Sequence, residues 1–178
     1  PYIAIVHRLD RPVGGIMIFA KTPFAAKELS EQIRKKLIKK KYLAVLCEDL
    51  SEEIGQDKRL LTDYIMKEGR TNLSRIGNER DKEAKKAELY FKVLKEKDNL
   101  SLVEIELLTG RHHQIRLQMS SHVAGIWGDT KYNVLFQKEK GWKNMGLYAY
   151  ALEFIHPKTK KLLQFEQRPQ AEPFSYFL

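Results

Sequence analysis

Two short apolar runs open the chain, Ile3 to Val6 and Ile16 to Phe19, with a polar stretch between them. Both are brief and rich in Ile, so both predict strands. Pro12 and the Gly14-Gly15 pair punctuate the interval and predict a turn there. Thr22-Pro23 then marks a helix start, because threonine caps and proline is tolerated at the first helical position. Ala26, Leu29, Ile33 and Leu37 follow at helical spacing, and the stripe ends in a basic cluster of Arg34, Lys35, Lys36, Lys39, Lys40 and Lys41. Tyr42 to Leu46 predicts a strand, followed by an acidic, loop-like interval to Asp57. From Leu60 to Arg80 the chain is polar, interrupted by Gly69 and Gly77, and carries Lys67, Arg70, Arg75 and Arg80. With little apolar periodicity, it predicts a hairpin or a mobile excursion.

Ala87 to Lys95 and Leu100 to Leu108 are two further strand-like runs. In the second, Val103, Ile105 and Leu107 alternate with Leu102, Glu104 and Glu106, the period of a sheet with a partly wet face. Lys97-Asp98-Asn99 between them predicts a hairpin turn. A helix is expected from His113 to about Val123, ended by Gly125 and Gly128. A polar connection from Lys138 to Gly146, containing Trp142, leads to the last strands, Leu147 to Phe154 and Leu162 to Phe165. These are joined by a turn at His156-Pro157-Lys158-Thr159, and the tail, with Pro169 and Pro173, is expected to pack as irregular chain. The whole reads as one α+β domain over residues 1–178, a mixed sheet with a few helices.

Charge narrows the partners. The 178 residues carry a formal net charge of +9, which favours an acidic or phosphate-bearing partner without separating nucleic acid from a membrane surface. No apolar stretch approaches the length that crosses a bilayer, and no signal pattern opens the chain. The lone cysteine, Cys47, cannot form an internal disulfide and sits in an apolar run as a small buried hydrophobe, which suits a reducing, cytoplasmic setting.

The candidate chemistry lies in His7-Arg8-Leu9-Asp10-Arg11, at the end of the first strand. A carboxylate between two arginines is readily kept ionised, and loops on rigid strands are where chemistry tends to sit. The plain alternative is a turn aspartate beside two solvated arginines. A second stretch, Gly110-Arg111-His112-His113-Gln114-Ile115-Arg116, followed by Gly128-Asp129-Thr130-Lys131-Tyr132, changes that weighing. Together with Lys41-Tyr42-Leu43-Ala44, Leu147-Tyr148-Ala149 and Phe154-Ile155-His156-Pro157, these stretches resemble the RluA-type pseudouridine synthase family. The match in order and spacing runs from the first residues to about His156.

The resemblance implies the pseudouridine synthase catalytic fold, with a mainly antiparallel mixed sheet, and an isomerase that acts on chosen uridines of structured RNA, ribosomal or transfer. It also implies sequence upstream of Pro1. The reaction cuts the C1′–N1 bond, turns the uracil and rejoins it through C5. Nothing is oxidised and no group is gained or lost, so no cofactor is demanded. By the same resemblance Asp10 is the catalytic carboxylate, and Arg116 is the cation that keeps it ionised, with Arg111 the alternative. Tyr42 stacks on the target base and Leu147 closes its other side. Arg8 fills the space of a flipped-out uridine, and Arg11 contacts phosphate or solvent.

Lys35, Lys36, Lys39 and Lys40 are expected to meet RNA phosphates, although cations in a last helical turn also suit the helix dipole. His113 and Gln114 are expected to anchor the loop, with Asp129 and Tyr132 as support beside the site. His112, His113 and His122 match no zinc spacing, so no metal is expected. Two positions depart from the family pattern: Val13-Gly14 stands where Thr-Ser is usual, and Tyr148 where histidine is common.

Two other functions compete. A non-catalytic RNA-binding module of the same fold would not need Asp10, Tyr42 and Arg116 together. A metal-dependent phosphodiesterase would want clustered carboxylates and histidines, and an arginine-flanked Asp10 is a poor ligand. No membrane and no obligatory protein partner are implied.

Overall fold

The computed structural model describes residues 1–69, 71–139, 141 and 143–178. Arg70 and Trp142, singled out in the two polar stretches, lie outside the described residues. Period-two alternation builds most of the protein. Strands β4 (Lys39–Leu46), β5 (Arg59–Glu68), β6 (Leu73–Gly77), β7 (Lys85–Lys97), β8 (Leu100–Leu107), β9 (Leu147–Ile155) and β10 (Leu162–Glu166) form one sheet in the order β10-β9-β4-β8-β7-β5-β6. Every neighbouring pair on that path is antiparallel. Asp98 and Asn99 turn β7 into β8 with φ of 55° and 58°, the left-handed pair that a two-residue hairpin turn requires.

The opening residues form three two-residue strands, β1 (Ala4–Ile5), β2 (Gly14–Gly15) and β3 (Phe19–Ala20). β1 and β3 pair as the hydrophobic pattern suggests. Gly14-Gly15 corrects the expectation of a turn: β2 lies parallel against Tyr148 and Ala149 of β9. The turn falls one step earlier, where the Val13 N–H donates to the Asp10 carbonyl at 2.8 Å. A Cβ on Gly15 would come 2.3 Å from the Ala149 carbonyl oxygen, so the glycine serves close backbone approach.

Helix α1 (Pro23–Arg34) starts as expected, with Thr22 Oγ1 accepting from the Ala25 N–H at 3.1 Å. It ends earlier than the basic cluster implied. Lys36 turns left-handed at φ 57°, Leu37 is exposed rather than part of the apolar stripe, and Lys39, Lys40 and Lys41 belong to β4. Pairing of β4 on both edges, to β8 and β9, overrides the helical preference of three lysines. The polar stretch after Leu60 is the β5–β6 hairpin. The tail closes with a 3-10 turn, Phe174–Phe177, that buries both phenylalanines.

Helix α2 (Gln114–His122) covers one face of the sheet, with Ile115 and Met119 against Tyr42, Leu46, Phe91 and Ile105. The other face packs Leu43, Val45 and Tyr150 on Phe174 and Phe177. Residues as enclosed as Leu89 and Phe91 each stabilise the fold by roughly 1.5–3 kcal/mol. The consequence for the site is rigidity: β4 and β9 are covered on both faces, and α2 is packed on one of them.

Candidate active site

Asp10 sits in the loop between β1 and β2, and that loop is pinned at both ends. The Asp10–Val13 turn holds one end, and at the other His7 Nε2 accepts the Ile18 N–H at 3.2 Å. Burial and nearby Lys40 pull His7 down to about 4, so it stays a neutral acceptor. The Asp10 side chain keeps 29% of its surface exposed and lines a cleft of about 1790 Å³. That volume exceeds the roughly 300–1,000 Å³ of a small-molecule pocket and suits a larger ligand.

Arg116 reaches the site from the first turn of α2. Gln114 fixes the approach, its side-chain oxygen accepting from Thr109 Oγ1 (2.8 Å) and the Arg111 N–H (3.0 Å) while its amide donates to the Glu88 carbonyl (3.0 Å). His113, at φ 54° and ψ 23°, is a non-glycine residue held left-handed just before the helix. Arg116 is 3% exposed and Asp129 1%, and the two form a bidentate pair, Nε to Oδ2 at 2.8 Å and Nη2 to Oδ1 at 2.6 Å. Asp129 Oδ1 also accepts the Lys131 and Tyr132 N–H groups. Burial works against the guanidinium charge, but Asp129, with Asp10 behind it, keeps its pKa above the ordinary arginine value.

The remaining nitrogen, Nη1, stands 3.6 Å from Asp10 Oδ2. That is too long for a hydrogen bond yet close enough for strong attraction. Asp129 therefore engages two of Arg116's three guanidinium nitrogens, fixing its direction, and leaves the third facing Asp10. Arg111, the alternative partner, instead donates Nε–H to the Lys86 carbonyl at 2.8 Å.

His113 Nε2 faces Asp10 at 3.9 Å, and its Nδ1 meets the Tyr132 hydroxyl at 2.8 Å. Burial first, then Arg116, drives its pKa down to about 3, so the contact with Asp10 is that of a neutral ring. The Tyr132 hydroxyl accepts the Ser74 N–H at 2.7 Å. Its own proton then points to Nδ1, leaving the His113 hydrogen on Nε2, toward Asp10. His112 stacks on His113 and binds Ser74, whose hairpin thereby forms part of the cleft wall.

Tyr42 and Leu147 share the cleft face of the sheet. Tyr42 opposes Ala149 and Ala44 opposes Leu147, a diagonal that brings an aromatic ring within reach of the leucine. Both are buried and line the cleft. Burial, and then the Asp10 charge, push the Tyr42 phenol up to about 12, so it remains protonated.

The cations divide. Arg8, Arg11, Lys36, Lys40 and Arg111 line the cleft. Lys35 pairs with Glu31 at 3.2 Å, and Lys39, though at the cleft rim, pairs with Glu153 at 2.8 Å. Among the described residues no group of three or more His, Cys, Asp or Glu is placed to hold a metal ion, and His122 binds Asp63 at 2.9 Å. Cys47 is half-buried rather than buried, its sulfur accepting from Asn133.

His7 and Ser74 are site residues to which the sequence motifs assign no role. His7 stands within the His-Arg-Leu-Asp motif, whereas nothing local marks Ser74, whose place depends on a fold contact 58 residues away.

Comparison with known proteins bears on this geometry. The RNA pseudouridylate synthase family model matches residues 1–121. An uncharacterised RNA pseudouridine synthase of Helicobacter pylori is 33% identical over 166 residues, which cover 91% of this chain and 49% of that protein. Ribosomal large subunit pseudouridine synthase C of Buchnera aphidicola is 34% identical over 168 residues, 90% of this chain and 51% of its own. The chain thus spans about half the length of the curated relatives it matches. In fold it is similar to human RNA Pseudouridylate Synthase Domain Containing 1, with a TM-score of 0.79 at 22% identity, over 97% of this chain and 71% of that one.

Proposed function

The chain belongs to the RNA pseudouridylate synthase family, and from that premise we propose that it converts selected uridines of folded RNA, ribosomal RNA first, to pseudouridine. The observation that carries the reading is Asp10, half-open at the cleft, with a buried, doubly tethered Arg116 aimed at it from 3.6 Å. A preorganised cation that needs no reorientation during reaction favours an anionic carboxylate there. Asp10 attacks the sugar or removes a sugar proton, and the C1′–N1 bond breaks. The freed uracil turns between Tyr42 and Leu147, C5 joins C1′ as Asp10 leaves the sugar or returns the proton it took, and C5 yields its proton while N1 gains one. Bonds broken and formed balance without an oxidant or a donor group.

Reaching a base inside folded RNA means unstacking it, at roughly a few kcal/mol. Exposed Arg8, two residues before Asp10 on the cleft wall, is the side chain suited to fill the gap. The ribosomal preference rests on relatives such as the Buchnera protein, whose name specifies the large ribosomal subunit.

Pseudouridine mapping of total RNA from cells with the gene, without it, and with Asp10→Asn supplied in its place tests the reading. The expected result is a set of sites that depends on the wild-type gene and is absent with Asp10→Asn, although that protein still folds and binds RNA. Full modification by Asp10→Asn would end the carboxylate mechanism, and identical maps with and without the gene would end the assignment to RNA.

A further inference from the structure

A second hollow, of about 750 Å³, adjoins the cleft and shares Arg11, Pro12, Val13, Met145 and Leu147 with it. Successive residues of a strand point to opposite faces, so where Leu147 closes the cleft, Tyr148 turns the other way, into this hollow. Its ring is half-buried, edge-on to Phe174 at 6.2 Å. Gly14 lies beside it: a Cβ there would stand 3.0 Å from Cε2 of the tyrosine. The ring can take this position because residue 14 has no side chain.

Charge and continuity indicate the occupant. Arg11 and Arg168 both border the hollow, Arg168 holding Glu166 at 3.1 Å. Among the described residues the one carboxylate on its wall, Glu172, accepts from the Tyr176 hydroxyl. An aromatic face beside cations is how proteins hold single-stranded nucleotides, whose bases stack and whose phosphates need positive charge. The turn from Asp10 to Val13 and one further residue put the Asp10 and Gly14 backbones no more than about 11 Å apart. That separation suits the adjoining nucleotide rather than a distant part of the RNA.

We propose that this hollow is a subsite for the nucleotide next to the target uridine in the same strand, its base stacked on Tyr148 and its phosphate against Arg11. The inference rests on the RNA reading above. It makes Tyr148 a specificity residue: the larger face of a purine stacks better, so sites with a purine at that neighbour are favoured.

The probe is the RNA segment in which the wild-type protein installs pseudouridine, synthesised intact and with an abasic residue replacing either neighbour of the target. Single-turnover rates are measured for wild type, Tyr148→Leu and Tyr148→Phe. One abasic substitution should slow the wild type on the order of tenfold, the scale of removing one base–aromatic stack. Tyr148→Leu should lose a similar factor on intact RNA and little more on that abasic RNA, while Tyr148→Phe keeps the wild-type pattern. Losses that multiply at both neighbours, or a Tyr148→Leu protein as fast as wild type on intact RNA, would overturn the subsite and leave the parent reading standing. A wild-type protein that modifies no RNA would overturn both.

Discussion

Asp10, Arg116 and Asp129 form a hierarchy in which only the outermost member opens to the cleft, and the histidines around them are kept out of the acid–base range. His113 is pulled to about 3 and His7 to about 4, against 6.5 for the free side chain. The sign of the consequence follows. Above about pH 6.5 neither the folded nor the unfolded chain protonates these rings, and the folded state keeps its full stability. As pH falls below that, the unfolded chain takes up protons that the folded one refuses. Stability therefore drops until the folded pKa values are reached, by at most about 1.4 kcal/mol per pH unit for each ring. Urea midpoints between about pH 7 and about pH 5 should fall less steeply for His113→Gln and for His7→Gln than for wild type. Slopes that match wild type would mean the rings titrate freely in the folded protein.

At the scale of elements, the Asp10 loop, the start of α2 and the β5–β6 hairpin surround the part of the sheet, β4 and β9, that carries Tyr42 and Leu147. Tyr132 is one of the residues that tie the hairpin to the start of α2. Tyr132 accepts the Ser74 N–H and meets His113 Nδ1, and Lys131 Nζ adds a bond to the Asn72 carbonyl at 2.8 Å. Removing the hydroxyl in Tyr132→Phe leaves a half-buried N–H and a ring nitrogen without their partner, a loss of about 1–3 kcal/mol. Hydrogen exchange at the Ser74 amide should accelerate by roughly one to two orders of magnitude, with amides of β7 and β8 unchanged. An unchanged Ser74 rate would show that the hairpin is held by other means. Much of this framework was legible in the sequence, and the exceptions have physical causes. Thr22-Pro23 and Asp98-Asn99 are local signals, and the structure uses both as written. The interior of α2 carries no apolar stripe, because Gln114 to Met119 are all buried, polar residues included. Its bounds were readable only from the motif before it and the glycines after it. Gly14-Gly15 looks like a turn because local sequence cannot register a parallel neighbour 134 residues away.

For the whole molecule the decisive quantity is where the surplus of positive charge is left uncommitted. A net charge of +9 says little by itself, since strand β4 sorts three consecutive lysines by face. Lys39 and Lys41 turn to Glu153 and Glu104, at 2.8 and 3.1 Å. Lys40 turns to the cleft beside Gly110, where burial lowers its pKa, and among the described residues no carboxylate pairs with it. A desolvated ammonium gains most from an arriving phosphate, whereas a paired one must first give up its carboxylate. Lys36, exposed on the same cleft wall, is in no ion pair among the described residues and so is uncommitted as well. Affinity for the mapped RNA segment, measured across salt concentrations, separates the two classes. Lys36→Ala with Lys40→Ala should reduce the slope of log affinity against log salt by about 0.7–0.9 for each phosphate that is no longer neutralised. Lys39→Ala with Lys41→Ala removes the same formal charge and should leave the slope close to wild type. Equal slopes for the two double variants would mean that RNA responds to net charge alone, and that the sorting of lysines by β4 has no part in binding.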